Sequence, residues 1–219
     1  MGIIQYLSTD PALFVSLSLC LVFSLCFHEY AHGIVAYYLG DDTAYKYGRL
    51  TLNPLAHLDP IGTLMILFIG FGYAKPVPVN QFNLHNPKTD IIKVAAAGPV
   101  SNLLLCFIGV LLFHLLTPEP NTSLILFLQI FISINAALAV FNLLPVYPLD
   151  GGQIFGNILS RKYPHYSQNL LLYGPKILLG VILFGIITGY SILWLIIGPV
   201  INFIIRFFDM IINYIFNIV

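Results

Sequence analysis

The sequence predicts an all-α polytopic membrane protein with five to six membrane segments, a small surface β-hairpin and one short re-entrant segment. Of its 219 residues, 58% are apolar and only 8% are charged, against roughly 45–50% and 25% in soluble domains. The apolar residues form long runs, and the few charged residues lie between them. Because one helical span needs about 20 residues, we expect residues 1–219 to form a single integral-membrane domain.

Charge and cysteine usage exclude several other classes. Nine basic residues balance nine acidic ones, so no net field would recruit nucleic acid. Cys20, Cys26 and Cys106 lie inside apolar runs and predict no disulfide framework. No Lys or Arg precedes the first apolar run, which is therefore expected to stay as a helix instead of being removed as a signal peptide.

The first half of the chain contains one clear span. Residues 11–39 are long enough to cross a membrane, and the alternating residues 44–52 predict a short hairpin at its surface. Residues 61–72 are apolar but too short to span, which favours a re-entrant segment. The prolines in residues 72–80 exclude a helix and favour an extended stretch.

The second half predicts four more helices. Residues 91–116 and 124–144 are convincing spans. The chain becomes polar over residues 145–175, and the apolar residues 176–219 divide into two helices near residues 188–191.

The placement of basic residues predicts an orientation. Lysine and arginine lie in connections that one side of the membrane can hold, provided that residues 61–72 do not cross, whereas the connection around Glu119 has none. The positive-inside rule then places the N-terminus and residues 117–123 outside, and the basic connections in the cytoplasm.

The sequence His28-Glu29-Tyr30-Ala31-His32 is an HExxH pattern. On a helix, His28 and His32 lie on one face and can bind a single Zn²⁺, while Glu29 can reach a water at the metal as a general base. The alternative is a helix end with polar residues at the membrane interface. An acid and two imidazoles in an apolar helix are costly unless they are paired or bind a ligand, so metal binding is favoured.

A catalytic zinc site usually has three protein ligands. Asp150 is the best candidate for the third, because it follows the span at residues 124–144 on the same side as the inner end of the first helix. Alone, Asp150-Gly151-Gly152 would be interpreted as an ordinary turn. Its depth in the membrane matches that of the two histidines, which favours a metal ligand at Asp150.

Several further motifs occur in one order between residues 24 and 156. They are Asn53-Pro54 with His57, Asp59-Pro60 and Gly62-Thr63; Gly72 to Val79 (GYAKPVPV); Ala97-Gly98-Pro99 with Asn102; and Asn142-Leu143-Leu144-Pro145 with Leu149-Asp150-Gly151. Together with HEYAH at residues 28–32, they resemble the site-2 protease family of intramembrane zinc metalloproteases, in a minimal form without a PDZ or CBS domain.

This resemblance implies the site and its substrate. His28, His32 and Asp150 would hold one zinc ion per chain, and Glu29 would be the catalytic base. The substrate would be a transmembrane segment of another membrane protein. The chain is expected in the lipid bilayer of a prokaryotic cell membrane, with its active site toward the cytoplasmic side. A homo-oligomer or a regulatory membrane partner stays open.

A substrate helix must unwind before its peptide bonds can be attacked, since its carbonyls are hydrogen-bonded within the helix. We hypothesise that the extended residues 75–80, or the edge of the hairpin at residues 44–52, hold the unwound stretch as an added strand.

Three intramembrane asparagines have open roles. By resemblance, Asn102 faces the active site, where its amide could stabilise an oxyanion as a catalytic group; bridging between helices is equally favoured. Helix packing is favoured for Asn135, whereas Asn142 could orient a metal ligand.

His57 and Asp59 lie among turn-forming residues, and structural capping is favoured for them over metal contact. Near the C-terminus a polar stripe is better explained by an interfacial helix or an oligomer contact than by catalysis. It consists of Asn202, Arg206, Asp209, Asn213 and Asn217.

Two other functions compete. A small transporter or channel could use His28, Glu29, His32 and Asp150 as a proton or metal relay, but it would predict inverted repeats, and the sequence shows none. A catalytically silent homologue would have no need of Glu29.

Overall fold

The computed structural model describes residues 2–116, 122–160 and 162–218, which form helices and no strands. Two 3₁₀ turns, Ile3–Gln5 and Gln81–Asn83, accompany ten α-helices in this part of the chain. The α-helices are α1 (Tyr6–Thr9), α2 (Pro11–Tyr38), α3 (Thr43–Lys46), α4 (Pro54–His57), α5 (Pro60–Ile69), α6 (Pro87–Leu116), α7 (Ser123–Asn142), α8 (Asp150–Ser160), α9 (Pro164–Thr188) and α10 (Ile192–Ile218).

Five of these helices, α2, α6, α7, α9 and α10, are long and apolar enough to cross a membrane. Their number lies within the predicted five to six segments. The prediction of an all-α polytopic membrane protein is therefore confirmed.

Local signals set the ends of the helices near the site. Asp10 caps α2 by accepting a hydrogen bond from the backbone N–H of Leu13 (3.0 Å), and Pro11 begins the helix. Asp59 caps α5 in the same way through the N–H of Gly62 (2.9 Å). A side-chain acceptor satisfies one of the unpaired N–H groups of a first turn, and proline fits there because it has no N–H to lose.

The centre of the bundle is formed by α2, α6 and α7, which pack against one another, with α10 against α6 and α7. The largest buried cluster lies between α6, α7 and α10. Its members are Cys106, Val110, Ile132, Ala136, Val140, Ile197, Ile201 and Ile212. The polar end of α2 lies against α6, where His32 Nδ1 is 2.7 Å from the carbonyl of Val94.

The predicted hairpin at residues 44–52 is wrong. Residues 43–46 form the helical turn α3 instead, which Asp41 starts by accepting a hydrogen bond from the N–H of Thr43 (3.1 Å). Tyr45 and Tyr47 are exposed, so the alternating pattern does not line one face of a sheet.

The segment predicted as re-entrant contains α5, a helix of 10 residues. Gly70 ends it in the left-handed conformation, with φ of 85°. Nothing in the structure supports the re-entrant path. Residues 71–80, which follow α5, are neither helix nor strand, as their prolines predict.

The helix α9 begins at Pro164, 12 residues before the apolar run predicted for it. Pro175 lies inside the helix, where the sequence suggested a boundary. Membrane helices tolerate such a proline because neighbouring groups satisfy the carbonyl that it frees.

Candidate metal centre

The HExxH residues lie in the C-terminal half of α2. His28 and His32 are one helical turn apart, and their Nε2 atoms lie 3.0 Å from each other. Both side chains are buried, with 4% and 9% of their surface exposed. The spacing thus points two imidazoles at one position, as predicted.

Asp150, the first residue of α8, completes the cluster. Its Oδ2 atom lies 3.1 Å from His28 Nε2 and its Oδ1 atom 3.4 Å from His32 Nε2. A Cβ atom on Gly151 would overlap the carbonyl of Leu143. The glycine that follows Asp150 therefore lets the first turn of α8 approach the end of α7 closely enough to present the carboxylate.

Hydrogen bonds at the far side of each imidazole define which nitrogen carries the proton. His32 Nδ1 lies 2.7 Å from the carbonyl of Val94, and His28 Nδ1 lies 2.6 Å from Asn102 Oδ1. Both partners are oxygen acceptors, so each Nδ1 is the donor. In the neutral imidazoles each Nε2 then carries a lone pair that faces the other Nε2 and the Asp150 carboxylate.

This arrangement fits a metal ion. Three acceptor groups, each offering one ligand atom within 4.8 Å of the others, converge without a donor between them. Asp150 Oδ2 is buried without a hydrogen-bond partner among the described residues. Such a cluster needs a positive charge at its centre, and two imidazoles with one carboxylate form a ligand set typical of zinc.

The negative charge of Asp150 is consistent with a metal ion at this position. Burial acts to raise the pKa of its carboxyl group, but the neighbouring His28 and His32 lower it to about 2. The carboxylate is therefore ionised at neutral pH.

Glu29 lies beside His28 and contacts the extended residues 71–80. Its Oε2 atom accepts a hydrogen bond from the backbone N–H of Val77 (2.8 Å). This contact, which the sequence did not reveal, joins the candidate base to the stretch predicted to hold substrate.

Several hydrogen bonds hold that stretch in place, among them one from Arg49 to the carbonyl of Pro76 (3.2 Å). Besides the bond to Glu29, the N–H of Lys75 donates to the carbonyl of His57 (2.8 Å), and Arg49 donates to the carbonyl of Lys75 (2.8 Å). The N–H of Asn80 donates to Asp41 Oδ2 (2.7 Å).

Asp41 links this stretch to the end of α2. It is fully buried and also accepts hydrogen bonds from Thr43 and Asn83. Burial acts to raise the pKa of its carboxyl group, but these bonds and that from Asn80 outweigh it and lower the pKa below its ordinary value. The group is thus an ionised anchor.

The close approach of α6 to α2 depends on Gly98. A Cβ atom at this position would overlap the imidazoles of both His28 and His32. The Ala97-Gly98-Pro99 motif thus has a direct physical role that spacing alone did not show.

Asn102 lies behind His28. Its amide nitrogen donates to Asn135 Oδ1 (3.0 Å) and toward the carbonyl of Ser24 (3.4 Å). Both amide protons are therefore used within the bundle, which leaves none for the oxyanion role considered from the sequence. Asn142 donates to the carbonyl of Leu138 (3.0 Å) and, in the described part of the chain, makes no hydrogen bond to His28, His32 or Asp150.

The capping role predicted for Asp59 is confirmed by its bond to Gly62. His57 is buried, with Nε2 2.7 Å from the carbonyl of Thr51. Neither residue joins the candidate metal centre.

In the polar stripe of α10, Asp209 lies 2.8 Å from His114 of α6 and accepts a hydrogen bond from Asn213 (3.1 Å). Arg206 is exposed, and the Asn217 side chain lies outside the described residues. The oligomer contact stays a prediction.

Comparisons with known proteins show the family of the chain. The family model described as Peptidase family M50 matches residues 117–183. The chain is 42% identical over 197 residues to the Bacillus subtilis protein named "Putative zinc metalloprotease YwhC", covering 87% of this chain and 89% of that protein.

Two other relatives are more distant. Rip2 of Mycolicibacterium smegmatis, which bears the same description, is 34% identical over 58% of this chain and 51% of its own length. Zinc metalloprotease MJ0392 of Methanocaldococcus jannaschii is 28% identical over 50% of this chain and 32% of its own length. No solved structure matches.

Five apolar helices and relatives of this description define an integral-membrane metalloprotease. The chain belongs to peptidase family M50. Its resemblance to the site-2 proteases is thereby confirmed.

Proposed function

We propose that this protein is a zinc endopeptidase that cleaves transmembrane segments of membrane proteins, in regulated intramembrane proteolysis. His28, His32 and Asp150 hold one zinc ion per chain, and Glu29 is the general base. The observation that carries the proposal is the convergence of two Nε2 lone pairs and a buried carboxylate, each supplied by a residue that the sequence marks as a ligand.

A zinc ion held there would polarise the scissile carbonyl and make water more acidic. Glu29 accepts the proton of the attacking water and delivers it to the leaving amine nitrogen. The hydrogen bond that it accepts from the N–H of Val77 holds the carboxylate in one orientation. Burial of the ligands limits the access of other water, which strengthens electrostatic interactions in the site.

We propose that the unwound substrate pairs with residues 77–79. The carbonyl of Val77 and the N–H of Val79 make no hydrogen bond in the described part of the chain. Unpaired backbone groups in an extended stretch can accept an added strand. Because Val77 also binds Glu29, a substrate strand there would lie beside the candidate base.

An apolar cavity of about 850 Å³ supports entry of a substrate helix from the membrane. It lies between α2, α5, α7, α9 and α10, and Phe71 and Gly72 at the start of the extended stretch line it. Leu25, one turn before His28, lines it as well. An apolar segment in this cavity would thus be close to both the extended stretch and the metal centre.

The test is zinc content measured together with cleavage. Wild-type protein purified in detergent should hold about one zinc per chain, and His28→Ala and Asp150→Ala should lose it. Glu29→Gln should keep zinc, since Glu29 is no ligand, but cleave a reconstituted single-span substrate at a rate lowered by at least about 100-fold, as loss of a general base implies.

Either of two results would contradict the proposal. Zinc retained in Asp150→Ala would exclude the three-ligand site. Undiminished cleavage by Glu29→Gln would exclude the assigned base.

A further inference from the structure

Two fully buried amides connect His28 to the middle of α7. Asn102 of α6 and Asn135 of α7 have no exposed surface. His28 Nδ1 lies 2.6 Å from Asn102 Oδ1, and Asn102 Nδ2 lies 3.0 Å from Asn135 Oδ1. Asn135 Nδ2 in turn lies 2.8 Å from the carbonyl of Phe131.

The carbonyl at the end of this chain of hydrogen bonds fixes its direction. A backbone carbonyl can only accept, so Asn135 must turn its NH₂ group to Phe131 and its oxygen to Asn102. Asn102 must then turn its own NH₂ group to Asn135 and its oxygen to His28. The proton of His28 is thereby held on Nδ1, and the lone pair on Nε2 faces Asp150.

We infer that Asn135 is a positioning residue for the metal centre: through Asn102, it selects the His28 tautomer that can bind zinc. The inference rests on the proposed zinc site. His32 needs no such device, because the backbone carbonyl of Val94 fixes its tautomer directly. The tautomer of His28 depends on the orientation of the Asn102 amide, which Asn135 holds at 3.0 Å and the carbonyl of Ser24 supports at 3.4 Å.

Loss of Asn135 would remove the shorter of the two contacts that hold the Asn102 amide and leave only the 3.4 Å contact with the carbonyl of Ser24. The Asn102 amide could rotate and present its NH₂ group to His28 Nδ1, which would then have to accept. The imidazole proton would move to Nε2 and occupy the lone pair that a metal requires. The expected defect is therefore in zinc affinity, without any change in the ligands themselves.

The experiment compares zinc affinities, measured by competition with a chelator, in Asn135→Leu and Asn135→Asp. Asn135→Leu should bind zinc about 10 to 100 times more weakly, the range for loss of a group that orients a ligand. Asn135→Asp should stay within a few-fold of wild type, because a neutral carboxyl group can donate its O–H to the carbonyl of Phe131 and keep its other oxygen toward Asn102.

Asn142→Leu is the matched control. Asn142 lies on the same helix and donates to the carbonyl four residues before it, as Asn135 does, but in the described part of the chain it has no partner on α6. Its substitution should leave zinc affinity unchanged. The midpoint of thermal unfolding of each metal-free variant shows whether a loss of affinity reflects loss of the fold.

The outcomes separate this inference from the proposed function. Wild-type affinity in Asn135→Leu would overturn the inference, as would an equal loss in Asn135→Asp. Zinc retained in His28→Ala, measured in the same series, would instead overturn the metal site itself.

Discussion

The chemistry of the candidate site depends on which nitrogen of each histidine is available. His28 and His32 could bind zinc through either ring nitrogen, but the acceptors behind them leave only Nε2 free. These acceptors come from α6, as does Gly98, which gives the two rings room. Helix α6 supplies no metal ligand itself, but it positions the two histidines of α2.

At this scale we predict that Gly98→Ala weakens zinc binding. The added methyl group would overlap both imidazoles, and since helix backbones move little, the rings must leave their positions. Zinc affinity, measured by chelator competition, should fall at least about 10-fold, as for loss of a group that orients a ligand.

Gly180→Ala is the control for this substitution. Gly180 also lies inside a long helix, α9, but nothing lies within 4 Å of an added Cβ. Zinc affinity should be unchanged there. Equal affinities in the two variants would show that Gly98 is not needed for the approach of α6 to the histidines.

Individual residues were predictable where local spacing decides their position. The i, i+4 spacing was enough to bring His28 and His32 together, and matching depth was enough to select Asp150. The role of Asn102 was not predictable, because the direction of its amide is decided by Asn135 on another helix. The bond between Glu29 and Val77 also depends on tertiary contact.

Among the elements, the extended stretch at residues 71–80 is the least regular and the most closely tied to the site. Pro76 and Pro78 have no N–H group, so few donors are available for pairing. Val77 uses its donor on Glu29. Within residues 75–80, Lys75 and Asn80 also use their N–H groups, on His57 and Asp41, so the N–H of Val79 is the donor left there for a substrate strand.

We therefore predict that Val79→Pro impairs cleavage without affecting zinc. The substitution removes the N–H, and an extended residue tolerates proline. The loss of one hydrogen bond, about 1 kcal/mol, should lower kcat/KM for a reconstituted substrate roughly 5-fold.

Val79→Ala separates the backbone effect from the side chain, because it shortens the side chain and keeps the N–H. Cleavage by Val79→Ala should exceed that by Val79→Pro. If the two variants cleave equally, the N–H of Val79 does not hold substrate.

A second prediction concerns the anchor of this stretch, Asp41. Asp41→Asn loses one acceptor oxygen, and the free energy of unfolding should fall by about 1.5 to 3 kcal/mol, the range for hydrogen bonds to a charged group. Chemical unfolding in detergent, followed by circular dichroism, measures this difference.

The difference in the free energy of unfolding between wild type and Asp41→Asn should decrease as pH falls. The folded pKa of Asp41 is lowered, so its contribution is fully present above the unfolded pKa of about 3.9 and is lost as pH falls through the folded value. Wild type and Asp41→Asn should thus converge in acid. A difference in stability that increases in acid would contradict the anchor role of Asp41.

Elements were predictable from apolar length and capping, and less so from alternation or proline. The spans of α2, α6 and α7 lie close to their predicted limits. The alternation around Tyr45 and Tyr47 suggested a strand, but a strand needs partners, and the hydrogen bonds of Thr43 to Asp41 start a helical turn first. Pro175 suggested a boundary that a membrane helix does not require.

On the scale of the whole molecule, five spans divide the connections into two sets. Basic residues occupy both connections of one set: Lys46, Arg49 and Lys75 lie between α2 and α6, and Arg161 and Lys162 lie between α7 and α9. The connections on the other side have no Lys or Arg. Sequence could predict this division, because it needs only the number of spans and the position of each charge.

This division predicts the topology of the protein, with the active site toward the cytoplasm. His32 lies six residues before the end of α2, about 9 Å along the helix axis, so the candidate site shares the side of the basic connections. Cysteine labelling with a membrane-impermeant maleimide in intact cells tests this. The native Cys20, Cys26 and Cys106 are buried and should contribute little background.

The exposed positions Ser123 and Tyr47 lie next to opposite ends of the bundle's spans. Ser123→Cys should react in intact cells, because α7 begins outside. Tyr47→Cys should react only after the membrane is permeabilised, because residue 47 follows α2 on the cytoplasmic side. The reverse pattern would place the active site outside, and would mean that the charges of the connections do not set the orientation of this chain.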